Sequence, residues 1–317
     1  MKHIILYLFT GLALGTGCTA NLPEEEGSAL RLLSVTLADN ATTKAIISSG
    51  NTINSVDVYV TKEDGSDYAT TTTTTAAASF LKFTYSGGSW GADKELEIST
   101  TKAKVYGSYP ASESTVITND GVMPKIVVTL LGTDDFSGTA QNDYLYAIPV
   151  TATSTARTIN LSMNHALAKI SFRISKASGV SEEMKLTAID IVSRNNYLQK
   201  GEGTMLLGDG TLNAAQTDSL HLKGTPVTLA LSQATANVNC LAAPMRGTES
   251  SLSFSIHVQV GDVERVFTTA PVSTPVQWKK GMHYTYTIQI NKMSGILTDV
   301  SINAWQTDAS PNTSIGI

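Results

Sequence analysis

The side chains that could carry out chemistry in this sequence form no catalytic or metal-binding pattern. No two of the five histidines are spaced like metal ligands in a motif such as His-x-x-x-His; they are His3, His165, His221, His257 and His283. The adjacent acids Asp134 and Asp135 do not alternate as the carboxylates of a calcium loop must. No Gly-x-Ser-x-Gly elbow or glycine-rich phosphate loop is present. We therefore predict no catalytic residues, no metal, no cofactor and no enzymatic activity.

The N-terminus is typical of an export signal. Lys2 and His3 precede an apolar run from Ile4 to Leu14, which is shorter than the ~20 residues needed to cross a bilayer and fits a signal peptide. The following residues resemble a lipoprotein signal, in which a peptidase cleaves before a cysteine that carries a diacylglyceryl group, although Gly15 stands where leucine is usual. We predict a signal peptide over residues 1–17 and lipidation, including palmitate, at Cys18. The alternative is an ordinary signal peptide with a chance cysteine.

Residues 18–31 are predicted to form a lipidated tether. This stretch is polar and acidic, and it carries Pro23 and Gly27, as flexible linkers do. No later segment is long and apolar enough to cross a membrane, so the folded body is predicted to be attached through lipid alone. The second cysteine, Cys240, lies in the apolar stretch VNCLAAP and is predicted to be a buried thiol.

The composition excludes two classes of protein. With 42% hydrophobic and 15% charged residues, the chain can bury cores and is unlike a disordered protein. Its net charge of -5 provides no basic excess to neutralise phosphates, which argues against nucleic-acid binding. The length of 317 residues allows two domains.

Period-two alternation of apolar and polar residues recurs along the body. In SVDVYVT, the residues Val56, Val58 and Val60 point one way, and KISFRIS and SFSIHVQV repeat this pattern; each segment is predicted to be a strand with one buried face. Turns such as EDGS and LGDGT separate the strands. Many short strands with glycine-rich turns predict an all-β fold of sandwich domains. The polar stretch 151–160 predicts a boundary between an N-terminal domain over residues 32–158 and a C-terminal domain over residues 159–317.

Six segments occur in an order that resembles the Bacteroidales fimbrillin family. They are VYGSYPAS (105–112), NDYLYA (142–147), INLSMNHALAKISFRI (159–174), CLAAPM (240–245), WKKGMHYTYTIQI (278–290) and VSINAW (300–305). Each segment is short, and their order and spacing together carry the resemblance, which extends from about residue 56 to residue 305.

The resemblance implies two tandem transthyretin-like β-sandwich domains and a non-catalytic structural role. It implies export as a lipoprotein to the outer membrane and association with other fimbrial subunits, either copies of this chain or paralogues, in an adhesive fimbria that binds a host or bacterial surface ligand. In stalk members of the family, a trypsin-like protease cuts after an arginine in the N-terminal segment and the first strand is lost. The C-terminal strand of another subunit then fills the groove by β-strand addition.

The resemblance points to two groups of residues. Arg31 is the candidate processing site, although little strand-like sequence precedes it, and the first later basic residue is Lys44. The candidate donor strand, extended by the terminal segment NTSIGI, has as its apolar residues Leu297, Val300, Ile302 and Trp305. The alternative interpretation of this segment is an ordinary closing strand of the second domain.

A second hypothesis is a monomeric surface lipoprotein that binds a glycan or a host protein. Trp90, in the glycine-rich loop SGGSWGAD, is its candidate contact residue. The place of the subunit at the base, shaft or tip of a fimbria is left open, as is its adhesion target. The tripeptide Asp218–Leu220 resembles a three-residue O-glycosylation signal, which would modify Ser219.

Overall fold

The computed structural model describes residues 29–37, 53–69, 79–111, 116–117, 123–130, 136–138, 141–292, 294–304 and 314–315. These residues form strands, turns and loops and no helix, so the predicted all-β class is confirmed. Accordingly, this part of the chain holds no helix of the length and apolarity that a membrane span needs. Cys18, Lys44 and Trp305 lie outside the described residues.

The described residues contain 21 strands. The first ten are β1 (Arg31–Leu37), β2 (Ser55–Lys62), β3 (Phe80–Ser86), β4 (Ser89–Ala92), β5 (Ala103–Tyr109), β6 (Val116–Ile117), β7 (Lys125–Leu130), β8 (Leu145–Ala147), β9 (Val150–Ala152) and β10 (Thr158–His165). The remaining strands are β11 (Ala168–Lys176), β12 (Lys185–Val192), β13 (Leu198–Leu206), β14 (Leu212–Thr217), β15 (Ser219–Thr228), β16 (Val238–Ala242), β17 (Ser253–Val260), β18 (Val263–Thr268), β19 (Met282–Ile290), β20 (Gly295–Ala304) and β21 (Ser314–Ile315).

Sheet 1 is formed by strands of the first half of the chain. Its order is β1-β10-β8-β5-β2-β3-β4, and β9 also pairs with β5. The sheet curls so that β4 lies close to β1, and the inner face holds a first hydrophobic core around Val58, Leu81 and Leu161. The alternating valines of β2 point into this core as predicted. However, Tyr59 on the opposite face of β2 is also buried, so this strand has two buried faces and not one.

Sheet 2 covers the second face of sheet 1 and contains strands from both halves of the chain. Its order is β14-β13-β7-β6, so β7 from the first half extends the β13–β14 hairpin of the second half. Between the two sheets lies a second core rich in tyrosine, which includes Tyr59, Tyr106, Tyr144 and Tyr146. Because hydrogen bonds and apolar packing both cross between the halves, the two halves are interlocked through sheet 2.

Sheets 3 and 4 form a sandwich from the second half of the chain. Sheet 3 has the order β16-β11-β19-β20-β21 and sheet 4 the order β15-β12-β17-β18. The largest core of the molecule lies between them. At its centre the ring of Phe172 lies 5.2 Å from Phe254 and 5.6 Å from Tyr286, measured between ring centroids. Aromatic pairs at this spacing stabilise a core beyond their buried area.

The strand pairing near the predicted domain boundary groups β10 with sheet 1. β10 begins at Thr158 and pairs with β1 on one side and with β8 on the other. The chain crosses into sheet 3 after His165, where β11 begins at Ala168. The hydrogen bonds of β10 belong to sheet 1 as far as His165. The predicted division of the chain into two domains between residues 158 and 159 stays a prediction.

Candidate assembly sites at the first and last strands

β1 is an edge strand that pairs with sheet 1 in parallel. Its partner is β10, and the register runs from Arg31 opposite Thr158 to Leu37 opposite Met163. The register shifts between Leu32 and Ser34, so Leu33 is a bulge, and its side chain is 66% exposed. Parallel pairing is slightly less stable per residue than antiparallel pairing, and a bulge disrupts the ladder further. β1 is therefore held less firmly by its backbone than the antiparallel strands of the sheet.

The apolar side chains of β1 complete the first core. Leu32 is 5% exposed, and Val35 and Leu37 are half-buried against the same core. Leu30, just before the strand, is also buried, and its amide donates a 2.9 Å hydrogen bond to the carbonyl of Leu96. Full burial of one such side chain contributes about 2 kcal/mol. Loss of β1 would therefore leave an open apolar slot along β10.

Arg31 lies at the start of β1, where the sequence predicted the end of a flexible tether. Its amide donates a 3.0 Å hydrogen bond to the carbonyl of Arg157, and the neighbours Leu30 and Leu32 are both buried. Its side chain is exposed. Proteases cut most readily in exposed loops whose backbone is not held by hydrogen bonds. The backbone at Arg31, in contrast, is held by this hydrogen bond and lies between two buried residues.

β20 places three of the predicted donor residues on one face. Leu297, Val300 and Ile302 are half-buried and pack against the core between sheets 3 and 4. They also line an apolar groove together with Val272 and Val276. Strict alternation would put Leu297 and Val300 on opposite faces, but the pairing with β19 shifts register between Leu297 and Asp299. The bulged residue is Thr298, and it brings the three apolar side chains to the same side.

The outer edge of β20 is only partly covered in the described part of the chain. β21, within the terminal segment NTSIGI, pairs with β20 at two positions, Val300 opposite Ile315 and Ser301 opposite Ser314. β20 is thus a closing strand of the sandwich formed by sheets 3 and 4, which is the alternative to a donor strand that the sequence left open. Its apolar residues Leu297, Val300 and Ile302 are only half-buried. Its part as a donor stays a prediction.

Two histidine clusters lie away from these strands. Nδ1 of His165 lies 3.0 Å from Oδ1 of Asp143, and both side chains are buried, so this pair is part of the packed interior. On the outer face of sheet 4, the carboxylate of Asp190 lies 2.6 Å from Nδ1 of His221 and 2.7 Å from Nε2 of His257. Burial alone would raise the pKa of Asp190, but the two imidazoles lower it below the usual range.

The histidines of the second cluster are 36 positions apart in sequence, so spacing could not reveal it. His221 and Asp190 are paired across β15 and β12, and His257 lies on β17. Only the strand register brings the three side chains together. In the described ranges, no group of three or more His, Cys, Asp or Glu side chains is arranged to hold a metal ion.

Two further predicted residues have clear surroundings. Trp90 pairs across the β3–β4 hairpin with Tyr85, at 5.4 Å between ring centroids, and it also packs on the first core. Tyr85 remains 46% exposed. Cys240 is a free, buried thiol, and burial raises its pKa to about 12, so it is unreactive in the folded state.

Comparison with known proteins identifies the family. A family profile described as fimbrillin-like matches residues 43–305, which contains most of the described strands and all six segments of the sequence resemblance. Fimbrillins are structural subunits of cell-surface fimbriae and not enzymes. Among curated proteins, none matches the chain.

Solved structures from Bacteroides share the fold. A fimbrial protein from Bacteroides vulgatus superposes with a TM-score of 0.59 at 14% identity, covering 88% of this chain and 100% of that one. A candidate cell adhesion protein from Bacteroides uniformis superposes with a TM-score of 0.54 at 17% identity, covering 88% of this chain and 100% of that one. At these identities the likeness concerns the fold. With the match over residues 43–305, the chain belongs to the fimbrillin-like family.

Proposed function

We propose that this protein is a non-catalytic subunit of a surface fimbria that assembles by β-strand exchange and supports adhesion. The observation that carries the proposal is β1: a parallel, bulged edge strand whose side chains complete an apolar core. An exposed sheet edge over an open apolar slot favours pairing with a strand from another chain. The partners are other fimbrial subunits, and the outer membrane is reached through a lipid on Cys18.

The position of β1 favours a processing site on the C-terminal side of this strand. A cut after Arg31 would leave all but the first residue of β1 on the body, so the slot would stay filled. Release of β1 needs a cut on its C-terminal side, before β2 begins at Ser55. The sequence between the two strands has a single basic residue, Lys44. For a trypsin-like protease, Lys44 is therefore a better processing site than Arg31.

Mass spectrometry of the N-terminus of protein taken from the native cell surface tests processing. A start at Ala45 supports release of β1 and strand exchange. A start at Leu32 would retain β1 and contradict the proposed route. A lipidated start at Cys18 on every copy would also contradict polymerisation by loss of β1.

The assembly itself is tested on a denaturing gel. Strand-exchanged polymers are expected to run as a ladder of bands when the surface extract is not heated, and to collapse to one band after boiling. A single monomer band in both lanes would contradict the proposal.

The second candidate function is a monomeric lipoprotein that binds a glycan. The observation that favours it is the exposed Tyr85 ring beside Trp90, because tilted aromatic rings offer faces on which sugars stack. Under this alternative, Trp90→Ala abolishes glycan binding by a protein that never forms a ladder. Under the proposal above, the same variant leaves the ladder intact.

A further inference from the structure

Four side chains on the outer face of sheet 4 form one connected row, with one member on each strand. The members are His221 on β15, Asp190 on β12, His257 on β17 and Glu264 on β18. The two oxygens of Asp190 lie 2.6 Å from Nδ1 of His221 and 2.7 Å from Nε2 of His257. Nδ1 of His257 lies 3.2 Å from Oε1 of Glu264. These contacts cross the sheet from one edge strand to the other.

The geometry determines which form of His257 fits the row. Both of its ring nitrogens face a carboxylate oxygen, and an ionised carboxylate only accepts hydrogen bonds. Each nitrogen must therefore carry a hydrogen, and only the charged imidazolium carries both. Burial raises the pKa of Asp190, but the hydrogen bonds from the two imidazoles outweigh burial and lower it, so this carboxylate is ionised. Glu264 is exposed, and exposed carboxylic acids are ionised above about pH 5.

His221 needs no charge to make its contact. Only its Nδ1 faces Asp190, so the neutral tautomer with a hydrogen on Nδ1 makes the same bond. The rings of His221 and His257 lie 6.1 Å apart between centroids, and positive charges on both would repel each other. The row is therefore complete with one imidazolium, at His257, between two carboxylates.

The strand register places two lysines on the same face. Lys223 lies in the row of His257, on the second strand away. Lys185 lies in the row of Glu264, also on the second strand away, and its Nζ is 3.3 Å from a carboxylate oxygen of Glu183. Ordinary lysines and carboxylates keep their charge between about pH 5.5 and pH 8.5, whereas an ordinary imidazole loses its proton near pH 6.5. Over this range, the charge of the face changes through its imidazoles.

The edge strand β18 has the most to gain from this row. In the described part of the chain it pairs with β17 alone, and Phe267 is its single buried side chain. Val263 and Val266 are both more than half exposed. An exposed edge strand of this kind can pair with a strand of another chain. The contact between Glu264 and His257 is a side-chain bond that holds β18 on its own sheet.

We propose that His257 is a proton-dependent bridge that joins Asp190 to Glu264 and holds the edge strand β18 on sheet 4 in mildly acidic surroundings. Loss of one proton turns one ring nitrogen into an acceptor that faces a carboxylate, and it removes the positive charge between the two carboxylates. The charged form is the one that stabilises the fold. The stabilisation is therefore present below about pH 6.5 and is lost as the pH rises above it. This inference is independent of the proposed strand exchange.

A double-mutant cycle on the full chain tests the bridge. His257→Gln, Glu264→Gln and the double variant are unfolded in urea at pH 5.5 and pH 8.5, on either side of the titration of an ordinary imidazole. At pH 5.5 the coupling is expected to change the equilibrium constant of unfolding about two- to fivefold, as exposed ion pairs do. At pH 8.5 no coupling is expected. The matched control is a cycle on Lys185 and Glu183, whose coupling should be the same at both pH values.

Hydrogen exchange shows whether β18 is the strand that responds. After correction for the intrinsic effect of pH on exchange, the amides of β18 are expected to be about two- to fivefold less protected at pH 8.5 than at pH 5.5. Amides of β19, inside sheet 3, are expected to keep their protection. In Glu264→Gln the difference at β18 should disappear. A coupling that is equal at both pH values or absent at both would overturn the bridge, as would a wild-type β18 that is equally protected at both.

Discussion

The indole Nε1 of Trp278 donates a 2.8 Å hydrogen bond to the hydroxyl of Tyr286 inside the core between sheets 3 and 4. Both side chains are completely buried. Tyr284, two residues earlier, donates its hydroxyl hydrogen to the carbonyl of Gln277 at 2.7 Å. The segment WKKGMHYTYTIQI is one of the six that carry the family resemblance. It consists of a turn and the strand β19, and these two hydrogen bonds hold the start of the turn against the strand.

Tyr286→Phe is expected to destabilise the protein. The ring remains, but the buried Trp278 Nε1 loses its acceptor, and a buried group without a partner costs about 1–3 kcal/mol. Denaturant unfolding measures this difference in the free energy of unfolding. Tyr85→Phe, on an exposed ring, is the control and is expected to change stability by less than about 0.5 kcal/mol. Equal effects of the two variants would contradict the role of this bond.

Glu249 is expected to make stability depend on pH in the acidic range. Burial alone would raise its pKa, but hydrogen bonds from Ser193, Ser251 and the amide of Asn195 lower it to about 2. The folded pKa lies below the usual value of 4.5, so this group stabilises the fold above pH 4.5 and loses that effect as the pH falls from 4.5 towards 2.

Glu249→Gln tests this dependence. At pH 7 it is expected to cost about 3 kcal/mol, because charged acceptors make the stronger hydrogen bonds and a glutamine amide offers hydrogens to groups that are already donors. The difference from wild type should shrink at pH 3, measured by denaturant unfolding at both pH values. The exposed Glu202→Gln is the control. A difference that is the same at pH 7 and pH 3 would show that the carboxylate charge plays no part.

The bulge in β1 predicts opposite outcomes at two neighbouring leucines. Leu32→Ala removes a buried side chain and is expected to cost about 2–4 kcal/mol. Leu33→Ala removes one that is 66% exposed, so stability should change by less than about 0.5 kcal/mol. Thermal unfolding of the unprocessed protein compares the two. A larger loss for Leu33→Ala would show that β1 has the other register.

Gly210 tests the contact between the two halves of the chain. It has a φ of 71°, and a Cβ there would overlap the ring of Tyr146 on sheet 1. Gly210→Ala is expected to cost about 3 kcal/mol, from the left-handed backbone and the overlap together. Gly87→Ala, at a φ of 60° with open space around it, should cost only about 1 kcal/mol. Equal losses in denaturant unfolding would show that Tyr146 does not pack against this turn.

The strands and their faces could be predicted because alternation is a local property. Successive side chains point to opposite sides of any strand, so Val56, Val58 and Val60 of β2 were assigned to one face without knowledge of neighbouring strands. Leu297, Val300 and Ile302 lie on one strand, β20, as the sequence indicated, and their part as donor residues stays a prediction. The burial of Cys240 followed from its apolar surroundings in the sequence.

Other features depend on which strands become neighbours, and these pairings join distant parts of the chain. The pairing of β7 with β13 creates sheet 2 and buries Tyr59 on the second face of β2. The pairing of β1 with β10 turns Arg31 from a tether residue into the first residue of a strand. Strand register also creates the bulges at Leu33 and Thr298. By itself, the sequence determined the composition of each strand; the tertiary structure decided the partners, because hydrogen bonds between backbones carry no signature in the side chains.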